Sequence, residues 1–309
     1  MPNDILTMVD MPVQHPAAPR SEAEGRARYF NSGNAFKIAL PPVPARLFTE
    51  EAAAALDPAA PSMMLPCDAS DALGLDFPAT TPFVLARYLR LCAGQALGAT
   101  AEASGLLHYV IAGQGRVELG AETIAWGPGD LFTVPGGAPF RLAAEADAVL
   151  WIVGNDPLLA FEALCAPQTA MTGLVHYPAA EIAAQLARLD SVPPGPGQSG
   201  LGLIFSSDQR EIQRNALPSL TLSLNTLPAG EFQPPHRHNA VAVTLVVQGE
   251  GCYSMIDGRR VDWSPWATMV TPPAAIHSHH NEGPSRAHFI IVQDGGLHQH
   301  ARTMDFAFV

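Results

Sequence analysis

The sequence predicts a mostly β protein: two tandem copies of one barrel- or sandwich-like unit, joined by short helices and preceded by an N-terminal arm. Two observations carry this. Short apolar runs recur between Gly/Pro turns: Phe83–Leu91, Leu106–Ile111, Arg116–Leu119 and Leu131–Val134, separated by Gly113-Gln-Gly115 and Trp126-Gly-Pro-Gly-Asp130. Strands of that length at regular spacing belong to barrels and sandwiches. The same turn residues then return at a constant distance. Ala93-Gly94 and Gly113-Gln-Gly115 reappear as Ala229-Gly230 and Gly249-Glu-Gly251 at an offset of 136. Trp126-Gly-Pro128 and Pro135 reappear as Trp263-Ser-Pro265 and Pro272 at an offset of 137. A fixed offset over several turn residues marks an internal repeat.

Composition agrees. The 309 residues have room for one large or two ordinary domains, and 48% hydrophobic against 15% charged residues can fill a core. The 29 prolines and 26 glycines suit a chain of many short strands. With 29 acidic and 17 basic residues the formal charge is −12, which disfavours nucleic acid or an anionic membrane as partner. Cys67, Cys92, Cys165 and Cys252 are far apart and read as reduced thiols. Met1-Pro-Asn-Asp-Ile5 shows no basic region before an apolar run, and no stretch reaches membrane-span length. The expectation is a soluble, cytoplasmic protein.

Taken in order, residues 1–75 are rich in Ala and Pro and read as an arm that packs on something else. Within it Thr49-Glu50-Glu51 offers a cap and an acidic first turn for a helix to Leu56, stopped by Pro58. The first β unit takes residues 76–155. Asn155-Asp156-Pro157 then starts a helix through Leu164, and Ile182, Leu186 and Leu189 give helical spacing to a second one from Pro178 or Ala179 to Leu189. Val192-Pro-Pro-Gly-Pro-Gly-Gln-Ser-Gly200 is a linker and completes a joining segment, 156–200. The second unit takes residues 201–309.

Chemistry concentrates in that second unit. Gly230-Glu-Phe-Gln-Pro-Pro-His236-Arg-His238 precedes the β-branched run Val241–Val247, and Thr271-Pro-Pro-Ala-Ala-Ile-His277-Ser-His279-His280-Asn281 follows it. Alternation puts His236 and His238 on one face of a strand and Arg237 on the other. His277, about two strand lengths later and after a Pro-Pro stop, can fold back opposite them. A lone histidine is ordinarily a surface or core residue, but two on one face with a third returning form a metal-site pattern. At the repeat offset the first unit carries Thr100, Glu102 and Phe140, which are no transition-metal set, so that unit is expected to be metal-free. His108 reads as a hydrogen-bonded core residue. His298-Gln-His300 reads as tail, with nine residues after it.

These residues resemble the cupin family. Gly230, His236, His238 and Gly249 match its first motif, and Pro272, His277 and Asn281 its second. The resemblance implies two tandem cupin domains, each a jelly-roll β-barrel, degenerate at 76–155 and metal-binding at 201–309. The motif's Glu falls on Ala242. This implies a three-histidine site like that of gentisate- and salicylate-type ring-cleaving dioxygenases. It further implies an oxidoreductase using Fe(II), with Zn, Mn or Ni as other imidazole-binding metals, and a small aromatic acid and dioxygen as partners. Continued alternation would turn Ala240, Ala242 and Thr244 inward. His279 and Asn281 would support the ligands, His288 could line the pocket, and His280 would sit on a solvated loop. Arg286 or Arg90 could receive a substrate carboxylate. Gentisate-type enzymes usually hold iron in the first cupin, whereas here only the second can. Other readings are a cupin isomerase, lyase, cyclase or hydrolase using the metal as a Lewis acid, or a non-catalytic metal- or small-ligand-binding protein. A homodimer or homotetramer is expected in either case.

Overall fold

Period-two patterning runs through both repeats and sends alternate side chains to two different cores. The computed structural model, which describes residues 7–166, 172–193 and 201–309, forms two compact units, Met1–Pro41 and Pro42–Val309. The first is held by backbone pairing of Gln14 with Tyr29 and by the one-turn helix α1 (Glu22–Gly25). There the Ser21 hydroxyl accepts from Glu24 N at 3.1 Å.

The second unit opens with β1 (Leu47–Phe48), α2 (Glu50–Leu56), β2 (Met63–Pro66) and α3 (Ser70–Leu73). The first repeat follows as β3 (Leu85–Leu91), β4 (Ala96–Thr100), β5 (Gly105–Ala112), β6 (Gly115–Leu119), β7 (Glu122–Trp126), β8 (Leu131–Pro135), β9 (Pro139–Ala144) and β10 (Ala148–Gly154). Next come α4 (Asp156–Phe161), β11 (Val175–Tyr177), α5 (Ala179–Asp190) and β12 (Leu201–Ile204). The second repeat is β13 (Thr221–Leu227), β14 (His236–His238), β15 (Ala242–Gln248), β16 (Cys252–Ile256), β17 (Arg259–Asp262), β18 (Thr268–Thr271), β19 (His277–Asn281) and β20 (Ala287–Gln293). Helix α6 (Gly295–Ala301) and β21 (Phe306–Phe308) come last.

Each repeat contributes a large and a small antiparallel sheet. The large sheets run β11-β8-β5-β10-β3-β2 and β1-β18-β15-β20-β13-β12, and the small ones β4-β9-β6-β7 and β17-β16-β19-β14-β21. The flanking segments are exchanged. β1, which precedes the first repeat, pairs with β18 of the second, whereas β2 stays with β3. β11, which precedes the second repeat, pairs with β8 of the first, whereas β12 stays with β13. The repeat thus extends outward into strand–helix–strand segments that tie each copy to the other.

The large sheets bury their outer faces in a shared core containing Tyr88, Leu107, Trp151, Leu222, Leu245 and Ile290. Thr268 Oγ1 pins it, accepting from Trp151 Nε1 at 2.9 Å and lying 2.7 Å from Tyr88 Oη. Alternation turns Ser223, Asn225, Ala242, Thr244, Ile291 and Gln293 the opposite way, into the second repeat. No described helix is long and apolar enough to cross a membrane. Cys67 and Cys252 are buried, Cys165 is exposed, and the four cysteines are free.

Helices lie close to their expected places. α2 starts after Thr49, whose hydroxyl makes no capping bond. α4 ends at Phe161 rather than Leu164, because Ala163 turns to a positive φ of 52°. Of the Pro/Gly linker, residues 194–200 lie outside the described residues. The segment expected as tail is a correction: His298 and His300 sit on α6, and the chain then returns as β21 along β14. A second correction concerns His108. It is fully buried, stacked on Phe132 at 4.5 Å and edge-on to Phe140, and neither ring nitrogen has a hydrogen-bond partner of ordinary geometry. Its surroundings are apolar, so burial pushes the imidazole down to about 3.

Candidate metal centre

The short strand β14 places His236 and His238 on one face and leaves Arg237 exposed on the other. On one edge it meets β19, with His236 directly opposite His277, so two neighbouring strands deliver three imidazoles to one spot. One nitrogen from each ring lies within 4.8 Å of the others. Ring centroids are 4.2 Å apart for His236 and His277, 4.8 Å for His238 and His277, and 6.0 Å for His236 and His238.

Hydrogen bonds orient all three rings alike. Nδ1 of His236 donates to Pro234 O at 2.8 Å, that of His238 to Ala240 O at 2.7 Å, and that of His277 to Ala275 O at 2.9 Å. A carbonyl oxygen only accepts, so each proton sits on Nδ1 and each Nε2 keeps its lone pair. Burial pushes His277 down to about 3 and lowers His236 and His238, with neighbouring histidines acting the same way on His277 and His238. Neutral imidazole is the ligand form, and this donor set fits a divalent transition metal. Among the described residues it is the one cluster of three or more His, Cys, Asp or Glu groups of that kind.

The triad opens on a cavity of about 210 Å³. Ala242 and Thr244 line it from β15, with Thr271 and Gln293 opposite Ala242 on the neighbouring strands. Ala240 is fully buried but does not line it, because a bend at residues 239–240 breaks the alternation after His238. His279 does line it. Its Nδ1 lies 2.7 Å from Ser254 Oγ, which accepts from Trp263 Nε1 at 2.8 Å.

Other residues singled out in the sequence lie elsewhere. Asn281 donates to Leu227 O and Ser285 O, both at 2.8 Å, and accepts from Gly283 N at 3.0 Å, so it fastens the β19–β20 turn to the end of β13. His288 alternates with Phe289 and Ile291, so it faces away from the triad, in a groove with Tyr109, Leu186 and Ile290. His280 is outside the cavity, stacked on Tyr253 at 4.6 Å. Arg90 is spent on Ala60 O, Pro58 O and Asp147, and Arg286 on Asp190 and Thr226.

Sequence reasoning missed part of the wall. Ser223 and Asn225 were legible in the polar/apolar alternation that runs from Thr221 to Asn225. Gln233, 5% exposed, gives less signal among prolines. Met304 and Phe306 gave none, since they reach the cavity only through the return of β21. The Phe306 ring lies 5.2 Å from that of His236.

Strand pairing corrects the residues that the repeat offset had set against the three histidines. His236 pairs with His277, and in the first repeat Ala99 pairs with Phe140. The residues standing for His236, His238 and His277 are therefore Ala99, Ala101 and Phe140, all packed into the first repeat's apolar core, while Thr100 and Glu102 are exposed. A single slip in register exchanges the faces of a strand.

Two pairs of sheets with a three-histidine centre in the second define the class, a bicupin-fold protein. Residues 223–293 match the cupin domain family, and residues 93–189 match the AraC-like ligand binding domain. The chain is related in sequence to gentisate 1,2-dioxygenases and shares its fold with a salicylate 1,2-dioxygenase. It is 35% identical to gentisate 1,2-dioxygenase of Ralstonia sp over 68 residues, which is 22% of this chain and 19% of the relative. It is 29% identical to gentisate 1,2 dioxygenase 1 of Aquipseudomonas alcaligenes over 148 residues, 46% of this chain and 39% of the relative. The matches thus span less than half the length of these relatives. Salicylate 1,2-dioxygenase from Pseudoaminobacter salicylatoxidans, in its gentisate adduct, superposes with a TM-score of 0.70 at 10% identity, covering 87% of both chains. A cupin 2 conserved barrel domain protein from Leptotrichia buccalis gives 0.52 at 13% identity, covering 83% of this chain and 97% of that one.

Proposed function

We propose that the chain is a metal-dependent dioxygenase that opens the ring of a small hydroxylated aromatic acid, with Fe(II) held by His236, His238 and His277. The observation that carries this is the set of three neutral imidazoles, each fixed through Nδ1 to a carbonyl and each with its Nε2 lone pair turned to the shared spot. The sequence relation to gentisate 1,2-dioxygenases supports it. Bound there, ferrous iron would supply a Lewis-acidic centre that a chelating phenol and dioxygen can share and through which electron density can pass.

The chain's own residues do the rest. The three carbonyl bonds hold the rings in one orientation, and losing such support typically costs about 10–100-fold in metal affinity or activity. Ala242 stands where the cupin motif carries Glu and leaves both volume and a coordination position. Ile291, Met304 and Phe306 form an apolar wall for a ring and exclude water. Ser254 Oγ accepts from Trp263 Nε1 and lies 2.7 Å from His279 Nδ1, which fixes the His279 ring beside the triad.

In this reading both sheet pairs are jelly-roll barrels. Residues 76–155 form a metal-free cupin, 156–200 join it to the metal-binding cupin at 201–309, and 1–75 are an arm. The protein works in the cytoplasm as a homodimer or homotetramer. The AraC-like match of residues 93–189 favours small-ligand binding in the first repeat, but Phe132, Phe140 and Leu142 already fill that interior.

The test is metal analysis, then anaerobic titration with salicylate and gentisate followed by absorbance, then oxygen uptake. About one metal per chain, a chelation spectrum and oxygen consumption are expected. A metal-loaded protein that consumes no oxygen with any hydroxylated aromatic acid overturns ring cleavage and leaves Lewis-acid chemistry.

A further inference from the structure

The cavity beside the triad is walled by uncharged groups. Apart from its imidazoles, its polar surface comes from the amides of Asn225, Gln233 and Gln293 and the hydroxyls of Ser223, Thr244 and Thr271. Among the described residues no Lys, Arg, Asp or Glu lines it. The arginines nearest in sequence are engaged or turned away: Arg286 is paired with Asp190, Arg237 is exposed on the far face of β14, and Arg302 is exposed and donates to His300 O.

The amides are not all used up by the protein. The Gln233 side chain, on a residue 5% exposed, makes no hydrogen bond to another described residue. Gln293 Nε2 lies 3.2 Å from His238 Nε2, a nitrogen that a metal would claim, so a metal would free this amide for a ligand. Asn225 Nδ2 donates to Ser223 Oγ at 2.7 Å and keeps its carbonyl. Such groups pair well with a ring hydroxyl or carbonyl. They offer no counter-charge to a carboxylate, and an ionised group taken from water without one is strongly disfavoured. A dication at the triad compensates chiefly the atoms that touch it, because its field weakens with distance. At about 210 Å³ the cavity exceeds the ~150 Å³ of a cavity that takes benzene, so a ring with one or two small substituents fits.

Resting on the metal-site reading above, we propose that this cavity selects single-ring chelators whose only ionised atoms are the two oxygens facing the triad. Every other substituent is uncharged and meets Gln233, Asn225 or Gln293. Salicylate and catechol belong to this class. A ring with a carboxylate outside its chelating pair does not.

The experiment uses the full chain loaded with Fe(II) and kept anaerobic. Catechol is compared with 3,4-dihydroxybenzoate, and salicylate with 4-hydroxyisophthalate, by absorbance of the metal complex and by ligand-induced shift in melting temperature. Each affinity is divided by that of the same ligand for the free metal. The member of each pair without the extra carboxylate should bind at least about 30-fold tighter. Ser223→Arg, at the half-buried end of β13, should narrow that gap about 10-fold while Ser223→Gln leaves it; Gln233→Lys serves if Ser223→Arg does not fold. Equal binding within both pairs overturns the proposal. Failure to hold metal overturns it together with the metal-site reading, whereas a metal-loaded protein that binds none of the four ligands overturns the proposal alone. Selective binding without oxygen uptake sinks only the ring-cleavage reading, because no arm of the titration depends on turnover.

Discussion

The two repeats share a strand order and differ in what lies between their sheets. In the first, Phe132, Phe140, Leu142 and Val117 meet in the middle, and Ala99 and Ala101 present methyl groups from the edge strand. In the second, that apolar filling is confined to one end, around Trp263, Phe289 and Met269. The other end is a cavity ringed by His236, His238 and His277, and its edge strand is covered by β21. The difference teaches that the fold sets the place and three side chains set the chemistry. Two alanines and a phenylalanine give a packed core at the positions where three histidines give a donor set.

The sharpest way to break the comparison is to remove a ligand. His238→Ala should take metal content from about one per chain to near zero, as should His236→Ala and His277→Ala. Glu102→Ala, on the exposed face of the first repeat, should change nothing. Metal analysis after exhaustive dialysis decides it. Full occupancy in His238→Ala, or two metals in wild type, would show that the repeats do not differ as described.

A smaller effect tests the open position. Ala242, 4% exposed, faces the cavity between Thr271 and Gln293. Ala242→Glu should keep or tighten metal binding and lower oxygen uptake with salicylate or gentisate by about 100-fold, because the new carboxylate competes with the chelating substrate. Should Ala242 only fill space, the buried carboxylate would instead lower the melting temperature and leave metal content unimproved. Smaller again is the effect of the covering strand. Phe306→Ala should raise KM for a ring substrate about 10-fold with little change in kcat, since it removes wall rather than ligand. An unchanged KM would place Phe306 outside the substrate's reach.

How much of this was legible follows from which features are local. The turns are: Gly94 and Gly230 both hold φ at 77°, a left-handed backbone that favours glycine, so they stand out at a fixed offset. The triad is local too, as two histidines on one strand and a third on its neighbour. The register of the first repeat's edge strand was not. One extra residue between Gly230 and His236 moves the equivalent positions from Thr100 and Glu102 to Ala99 and Ala101, which only pairing reveals. The exchanged strands β1 and β11 have two and three residues, too few for a periodic signal. β21 is equally short and follows a helix, so its place beside His236 is a tertiary fact. His288 was misplaced because counting alone does not say which face of β20 meets the triad.

The smallest predicted effect belongs to the first repeat. His108 is the one imidazole in that interior, fully buried, with both ring nitrogens unpartnered. In the second repeat a buried imidazole is oriented by a carbonyl and can serve a metal. Here the Leu106 and Phe132 backbones come near it without a bond of ordinary geometry, so its polarity is chiefly a cost. Leucine matches its bulk without polar atoms. His108→Leu should therefore stabilise the protein at neutral pH by about 1 kcal/mol, the relief of unpaired nitrogens less the stacking lost on Phe132. For a chain of this size that raises the melting temperature by about 2–4 °C. The gain should grow in acid, and the sign follows from linkage. Burial holds His108 down to about 3 in the fold, against 6.5 when solvated. Above 6.5 neither state protonates this ring, whereas between about 3 and 6.5 only the unfolded chain does, so each pH unit lost there costs up to about 1.4 kcal/mol. The triad histidines act in the same direction and Asp294, pushed up to about 6 by burial, in the opposite one. Both contributions are common to wild type and variant and cancel in their difference. That difference in melting temperature should therefore widen from pH 7.5 to pH 5, with metal content unaltered at pH 7.5. A variant less stable than wild type, with a pH-independent gap, would mean that His108 has a partner in solution.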